Sequence, residues 1–217
     1  MITTIRWIVA TAIVFAATMS TARSDIKNAA DLPGKADPNT PAANAKPATI
    51  EELKTQLKDK SPSVRRKAAQ QLGGRGVRAM EAVPALIDTL GDAEPTVRSS
   101  AAEALGGVGI MARAALPALI KLLKDADANV RETAAEALSD IGVDAPKVIP
   151  ELMNLLSDED MNVRCAGARA IGDFRGAARD AVEALQKLQK QDKHPFVREA
   201  AGEALQTIQR ALQRLDS

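Results

Sequence analysis

Residues 92–109 read DAEPTVRSSAAEALGGVG. Their Val97-Arg98 pair recurs as Val64-Arg65, Val130-Arg131, Val163-Arg164 and Val197-Arg198, in steps of 33 residues with one of 34. An Asp stands five residues before each Val: Asp59, Asp92, Asp125, Asp158 and Asp192. A branched aliphatic stands eight residues after it: Leu72, Leu105, Leu138, Ile171 and Leu205. Self-similarity at this period is the mark of stacked helical repeats.

Counting from the Val as position 0, apolar residues return at +4, +7, +8 and +11, as in Ala101, Ala104, Leu105 and Val108. That spacing puts them on one stripe of an amphipathic helix, named helix B here. Glycine follows at +12 in Gly76, Gly109 and Gly142, and suits a left-handed helix stop. A second apolar run gives helix A of the next unit, with Pro84, Pro117 and Pro150 near its start, where a missing N–H costs little. Thr49 with Glu52 forms a capping box ahead of Ile50, Leu53 and Leu57. The reading is all-α: an α-solenoid of five stacked helix-turn-helix units over 49–217, with the one extra residue in Gln189–Gln191.

The fixed positions read as structure. Arg65, Arg98, Arg131, Arg164 and Arg198 recur with their Asp partners, so a ladder is expected. Each guanidinium would grip an Asp carboxylate or helix-end carbonyls of its own or the adjoining unit, and each Asp could cap helix B. Small residues at +5 (Ala69, Ala102, Ala135, Ala168, Gly202) are expected to let neighbouring B helices approach.

The pattern resembles the HEAT repeat in the short bacterial form named after phycobilisome lyases. Asp92-x-x-x-x-Val97-Arg98-x-x-Ala101-Ala102-x-Ala104-Leu105-Gly106-x-x-Gly109 and Leu116-Pro117-x-Leu119-x-x-Leu122-Leu123 carry the resemblance. It implies helices A outside and helices B lining a concave face. It is unspecific for function, because the family includes chromophore lyases as well as adaptors.

The first 48 residues differ in kind. Arg6 precedes an uncharged run, Trp7–Met19, and Ser20-Thr21-Ala22 supplies small residues for cleavage. The run is shorter than the ~20 residues a membrane span needs. Residues 1–22 are therefore expected to be a signal peptide and the protein exported, to a periplasm or outside the cell. An uncleaved anchor is the alternative, and the only expected route to a membrane. Residues 23–48 hold Pro33, Pro38, Pro41 and Pro47 among Ala, Asn and Asp, and read as a flexible linker.

Composition narrows the chemistry. Lys+Arg 29 against Asp+Glu 28 gives +1, without the basic excess of a nucleic-acid binder. His194 is the only histidine, too few for a zinc site or a Ser-His-Asp triad. Gly106-Gly107-Val108-Gly109 lacks the Lys-Ser/Thr of a phosphate loop, and Asp158-Glu159-Asp160 lacks calcium-loop spacing. No catalytic residue, metal or cofactor is expected. Cys165 is alone, a free thiol or one half of an intermolecular bridge.

Positions +2, +6 and +9 should face away from the core and line the concave surface. The candidates are Arg66, Ser99, Glu103, Glu132, Glu136, Arg169, Glu199 and Glu203, with Ser139 at +9. The face is polar, mildly acidic and poor in aromatic anchors. It suits a protein or peptide partner, basic or extended, bound by a monomer without catalysis. The alternative, by family analogy alone, is a lyase-like enzyme; export and the scarcity of histidines and aromatics count against it. Asp88, Lys121, Asn154 and Lys187 should lie on the convex side.

Overall fold

The structure is a computed structural model of the chain, and it describes residues 47–214. The expected signal peptide and all but the end of the expected linker lie outside the described residues. The compact unit begins at Pro47, and its described residues are all-α. Its A helices are α1 (Ile50–Gln56), α3 (Val83–Thr89), α5 (Leu116–Leu122), α7 (Ala145–Leu155) and α9 (Val182–Gln191). Its B helices are α2 (Pro62–Gly73), α4 (Pro95–Val108), α6 (Ala128–Ile141), α8 (Met161–Asp173) and α10 (Pro195–Gln213).

The periodic positions form the core. Val97, Val130, Val163 and Val197 at position 0 are fully buried, as are Leu72, Leu105, Leu138 and Ile171 at +8. Val64 is only half-buried, since among the described residues no helix B precedes it. Burying each of these side chains contributes roughly 1.5–3 kcal/mol, and the core repeats that gain in every unit.

B helices pack against one another in sequence, α2 on α4, α4 on α6, α6 on α8 and α8 on α10. Successive A helices meet far less. A two-layer array curves toward its tighter layer, so helices B line the concave side.

The tight layer uses glycine at +9 in three units, Gly73, Gly106 and Gly172, which corrects the expected exposure there, while Ser139 at +9 of the third unit is half-buried and stays accessible. A Cβ on Gly73 would stand 2.9 Å from Ala104 Cα, and one on Gly172 2.9 Å from Ala204 Cα. Position +9 thus faces the +7 alanine of the next unit. At +5, Ala69, Ala102, Ala135 and Ala168 are fully buried, and in the last unit a Cβ on Gly202 would stand 2.8 Å from Gln189 Nε2 of its own helix A.

Thr49 caps α1 with the full capping box. Gly76, Gly109 and Gly142 take positive φ of 56°, 68° and 65°; Gly142 is the left-handed cap expected at +12, whereas Gly109 ends α4 at ψ −144° and Gly76 lies beyond the Gly74 cap of α2. In the fourth unit Arg175 holds that place at φ 52°, a conformation disfavoured by roughly 1–2 kcal/mol for a residue with a Cβ. Beyond this stop the chain is more ordered than a glycine turn. Seven-residue 3₁₀ connectors, Gly76–Ala82, Gly109–Ala115 and Arg175–Ala181, bury paired alanines such as Ala79 and Ala82 and lead into helix A. The third junction lacks one. There α7 starts at Ala145, which leaves Pro150 inside the helix rather than near its start. The extra residue of the last unit is absorbed by α9, which stays helical through Gln191.

Candidate functional site

The two long edges of the solenoid carry different things. On the edge of the A-to-B turns runs the ladder. Arg131 Nε and Nη2 donate to Asp158 Oδ2 and Oδ1 at 2.8 Å each. Arg65 grips Asp92, Arg98 grips Asp125 and Arg164 grips Asp192 with the same fork. The free Nη1 of each turns back to its own unit; in Arg131 it donates to the carbonyls of Asp125 and Ala126. One guanidinium therefore ties the loop of its own repeat to the carboxylate of the next. Both expected contact types occur at once, own carbonyls and adjoining carboxylate.

The ladder has ends. Among the described residues Arg198 donates to the Asp192 carbonyl without gripping a further Asp, and Asp59 is gripped by no preceding Arg. Nor do the −5 aspartates cap helix B, as the sequence had suggested. Asp125 and Asp158 instead accept from the N–H of Asp127 and Asp160. These two residues are the caps, accepting from Asn129 and Val130, and from Asn162 and Val163. The −5 carboxylate is thus a loop-former that presents both oxygens to the arginine.

On the concave face the candidates separate into a centre and two flanks. Arg66 lies at the N-terminal end, in a groove shared with Ser63, Lys67 and Gln71. Ser99 is half-buried, while Glu199 and Glu203 are exposed at the far end. The centre is built from α4, α6 and α8. Glu136 feels Glu132, Asp140 and Glu103 as like charges and Arg169 as the opposing one. A groove of about 300 Å³ runs between α6 and α8, lined by Glu136, Ser139, Asp140, Arg169 and Asp173.

Asp140 and Asp173, both at +10, were not among the sequence candidates. Their signal was available: +2, +6 and +10 are spaced by four and share one helix face. Cys165, at +2, is only 7% exposed, and burial pushes its thiol pKa up. That fits a free thiol better than a bridge to another molecule. Asp88, Lys121, Asn154 and Lys187 are all exposed on helices A.

The carboxylates of ladder and face titrate in opposite directions. Partial burial, foremost, raises Glu132, Glu136 and Asp140; Asp160 adds to it at Glu132, the neighbouring acids at Glu136, and Asp173 at Asp140. In the ladder, hydrogen bonding to Arg65 lowers Asp92. Burial pushes Asp125, Asp158 and Asp192 upward, but their arginine and backbone N–H bonds together outweigh it, and the net direction is down.

A raised carboxylate destabilises the fold while ionised, and this penalty fades as pH falls through its folded pKa. A lowered one contributes stability above its unfolded pKa of about 4, lost as pH falls through the folded value. The melting temperature is therefore expected to rise slightly on acidification from neutrality, then drop below about pH 4. Glu136→Gln should weaken the upward limb and leave the acid drop intact. A monotonic fall from neutral pH in both proteins would contradict these assignments.

The comparisons agree with this architecture. The family model for HEAT repeats matches residues 50–139 and again 116–206. No curated protein matches the sequence. Among solved structures, the chain is similar to the complex of CpcE and CpcF of phycocyanin lyase from Nostoc sp. PCC7120, at 29% identity and TM-score 0.67, covering 81% of this chain and 71% of that one. An engineered protein is similar at 25% identity and TM-score 0.60, covering 75% and 80%. A designed armadillo repeat protein in complex with the peptide (KR)4 shares the fold at 23% identity and TM-score 0.60, covering 73% and 81%. Repeated Val-Arg helices, a concave B layer and two overlapping matches across 50–206 lead to one assignment: the chain belongs to the HEAT-repeat family.

Proposed function

We propose that the protein is an exported, non-catalytic scaffold that holds an extended basic segment of a partner protein along its concave helix B face. The observation that carries this reading is the acidic centre, where Glu103, Glu132, Glu136, Asp140 and Asp173 gather about a single Arg169. The raised pKa values of Glu132, Glu136 and Asp140 mean that these charges repel one another and lose hydration. A cationic partner relieves both costs on binding. A shallow groove of this composition favours charge recognition along a strand over a buried aromatic anchor. The designed repeat protein bound to (KR)4 illustrates, at the level of fold only, that such a layer admits an extended basic chain. Export rests on Arg6, Trp7–Met19 and Ser20-Thr21-Ala22 in the sequence.

The likeness to a phycocyanin lyase complex is the observation favouring a second reading, an enzyme or enzyme subunit. The sole histidine, His194, stands at the start of α10 on the ladder edge, its backbone N–H donating to Asp192, away from the groove. The central groove offers carboxylates and one arginine as its charged groups.

Reversing Glu103, Glu132 and Glu136 to Lys is expected to weaken capture of a Lys/Arg-rich peptide roughly tenfold or more. Its salt dependence should flatten or invert. Three charge reversals on helices A (Asp88→Lys, Lys121→Glu, Lys187→Glu) should change affinity less than about twofold. If the helix A set abolishes binding, or neither set affects it, the concave-face reading is wrong.

A further inference from the structure

The edge opposite the ladder carries a different chemistry. Five large apolar side chains stand out as exposed among the described residues, and four of them lie on the first two connectors: Val77 (61%), Met80 (50%), Ile110 (60%) and Met111 (50%). Those two 3₁₀ segments pack against each other, so the four form one patch. The register is regular. Val77 and Ile110 both stand at +13, Arg78 and Met111 at +14, and Met80 and Arg113 at +16. Apolar residues thus run along the edge and alternate with arginine on either side, with Glu81 the one acid between Arg75 and Arg113 on the two connectors. Beside the patch a groove of about 470 Å³, lined by Leu116, Ile120 and Val148, carries Arg113 and Lys121 at its rim together with Lys147, which is paired with Asp144 at 2.7 Å.

We propose that this connector edge docks on an anionic lipid surface. Val77, Met80, Ile110 and Met111 would enter the acyl boundary, while the exposed Arg78 and Arg113 reach the phosphates. Exposed apolar patches of this kind mark interaction sites. This one lacks the Trp, Tyr and Phe anchors that dominate protein interfaces. It pairs flexible and branched aliphatics with long cationic side chains, which keep their stems in apolar surroundings and their heads among phosphates.

The test uses the full chain with Cys165→Ala and one introduced thiol, Met111→Cys or Lys187→Cys, labelled with an environment-sensitive dye. It is mixed with vesicles of phosphatidylcholine alone or of phosphatidylcholine with phosphatidylglycerol. The dye at position 111 should shift to the blue with the anionic vesicles and much less with the neutral ones, and the dye at 187 should not shift with either. Adding Arg78→Gln and Arg113→Gln should raise the anionic lipid concentration needed for the shift at 111 about tenfold. This local readout does not depend on whether the N-terminal segment also inserts. No shift at 111, equal shifts at 111 and 187, or a shift indifferent to the two arginines would overturn the proposal.

Discussion

Replacing Arg131 with alanine is expected to destabilise the solenoid by about 3 kcal/mol, whereas Arg198→Ala should cost less than about 1 kcal/mol. The two arginines occupy the same repeat position, and their surroundings differ. Arg131 and Asp158 are only 10% and 12% exposed along their side chains. Removing the guanidinium leaves the Asp158 carboxylate facing a gap, and deprives the Asp125 and Ala126 carbonyls of a donor. It also cuts the tie between the third and fourth repeats. Among the described residues Arg198 grips no Asp carboxylate and keeps only its bond to the Asp192 carbonyl. Arg131→Lys should fall between, because an ammonium cannot reproduce the fork that holds both carboxylate oxygens. Urea titrations of the variants measure the order; equal losses at Arg131 and Arg198 would dissolve the distinction between ladder and end.

The second large effect is one of sign. Gly172→Ala is expected to destabilise by about 1–3 kcal/mol, although alanine is the better helix former by roughly 1 kcal/mol. Its new Cβ would meet Ala204 Cα at 2.9 Å and Ala204 Cβ at 3.0 Å. The obstacle is backbone, so α8 and α10 must separate and the strain spreads to the neighbouring unit. Gly74→Ala is the control. At φ −61°, with only carbonyl oxygens at 3.6 and 3.8 Å, it should stabilise by about 0.5 kcal/mol. Melting curves that moved in the same direction for both would mean that the B layer is looser than its geometry.

The features legible in the sequence are those every repeat must share. Val97 and Leu105 recur because every unit buries the same face, so the layers were legible; the +12 glycine recurs in three units only, Arg175 taking its place in the fourth and α10 running past it in the fifth. The direction of the ladder was not legible. Arg98 is 6 residues from Asp92 and 27 from Asp125, and periodicity relates it equally to both. The structure uses the carbonyl of the first and the carboxylate of the second. The 3₁₀ connectors were hidden because short Ala-rich stretches such as Ala112–Ala115 satisfy several backbone geometries, and only packing of the paired alanines selects one. The concave face was partly legible at Glu103, Glu132, Glu136 and Arg169. Asp140 and Asp173 escaped because their position holds Gly74 and Gly107 in other units and so carries no repeat signal.

The concave-face account is tested most directly by a site-resolved crosslinking map. A photoreactive residue is placed singly at positions 103, 136 and 140 on helices B, and at 88, 121 and 187 on helices A. Each protein is irradiated with an extended peptide of alternating Lys and Arg, at low and at raised salt. The account predicts saturable crosslinks at 103, 136 and 140 that fade as salt screens the acidic centre, with background yield at 88, 121 and 187. Crosslinks concentrated on helices A, or equal and unsaturable on both faces, would contradict it.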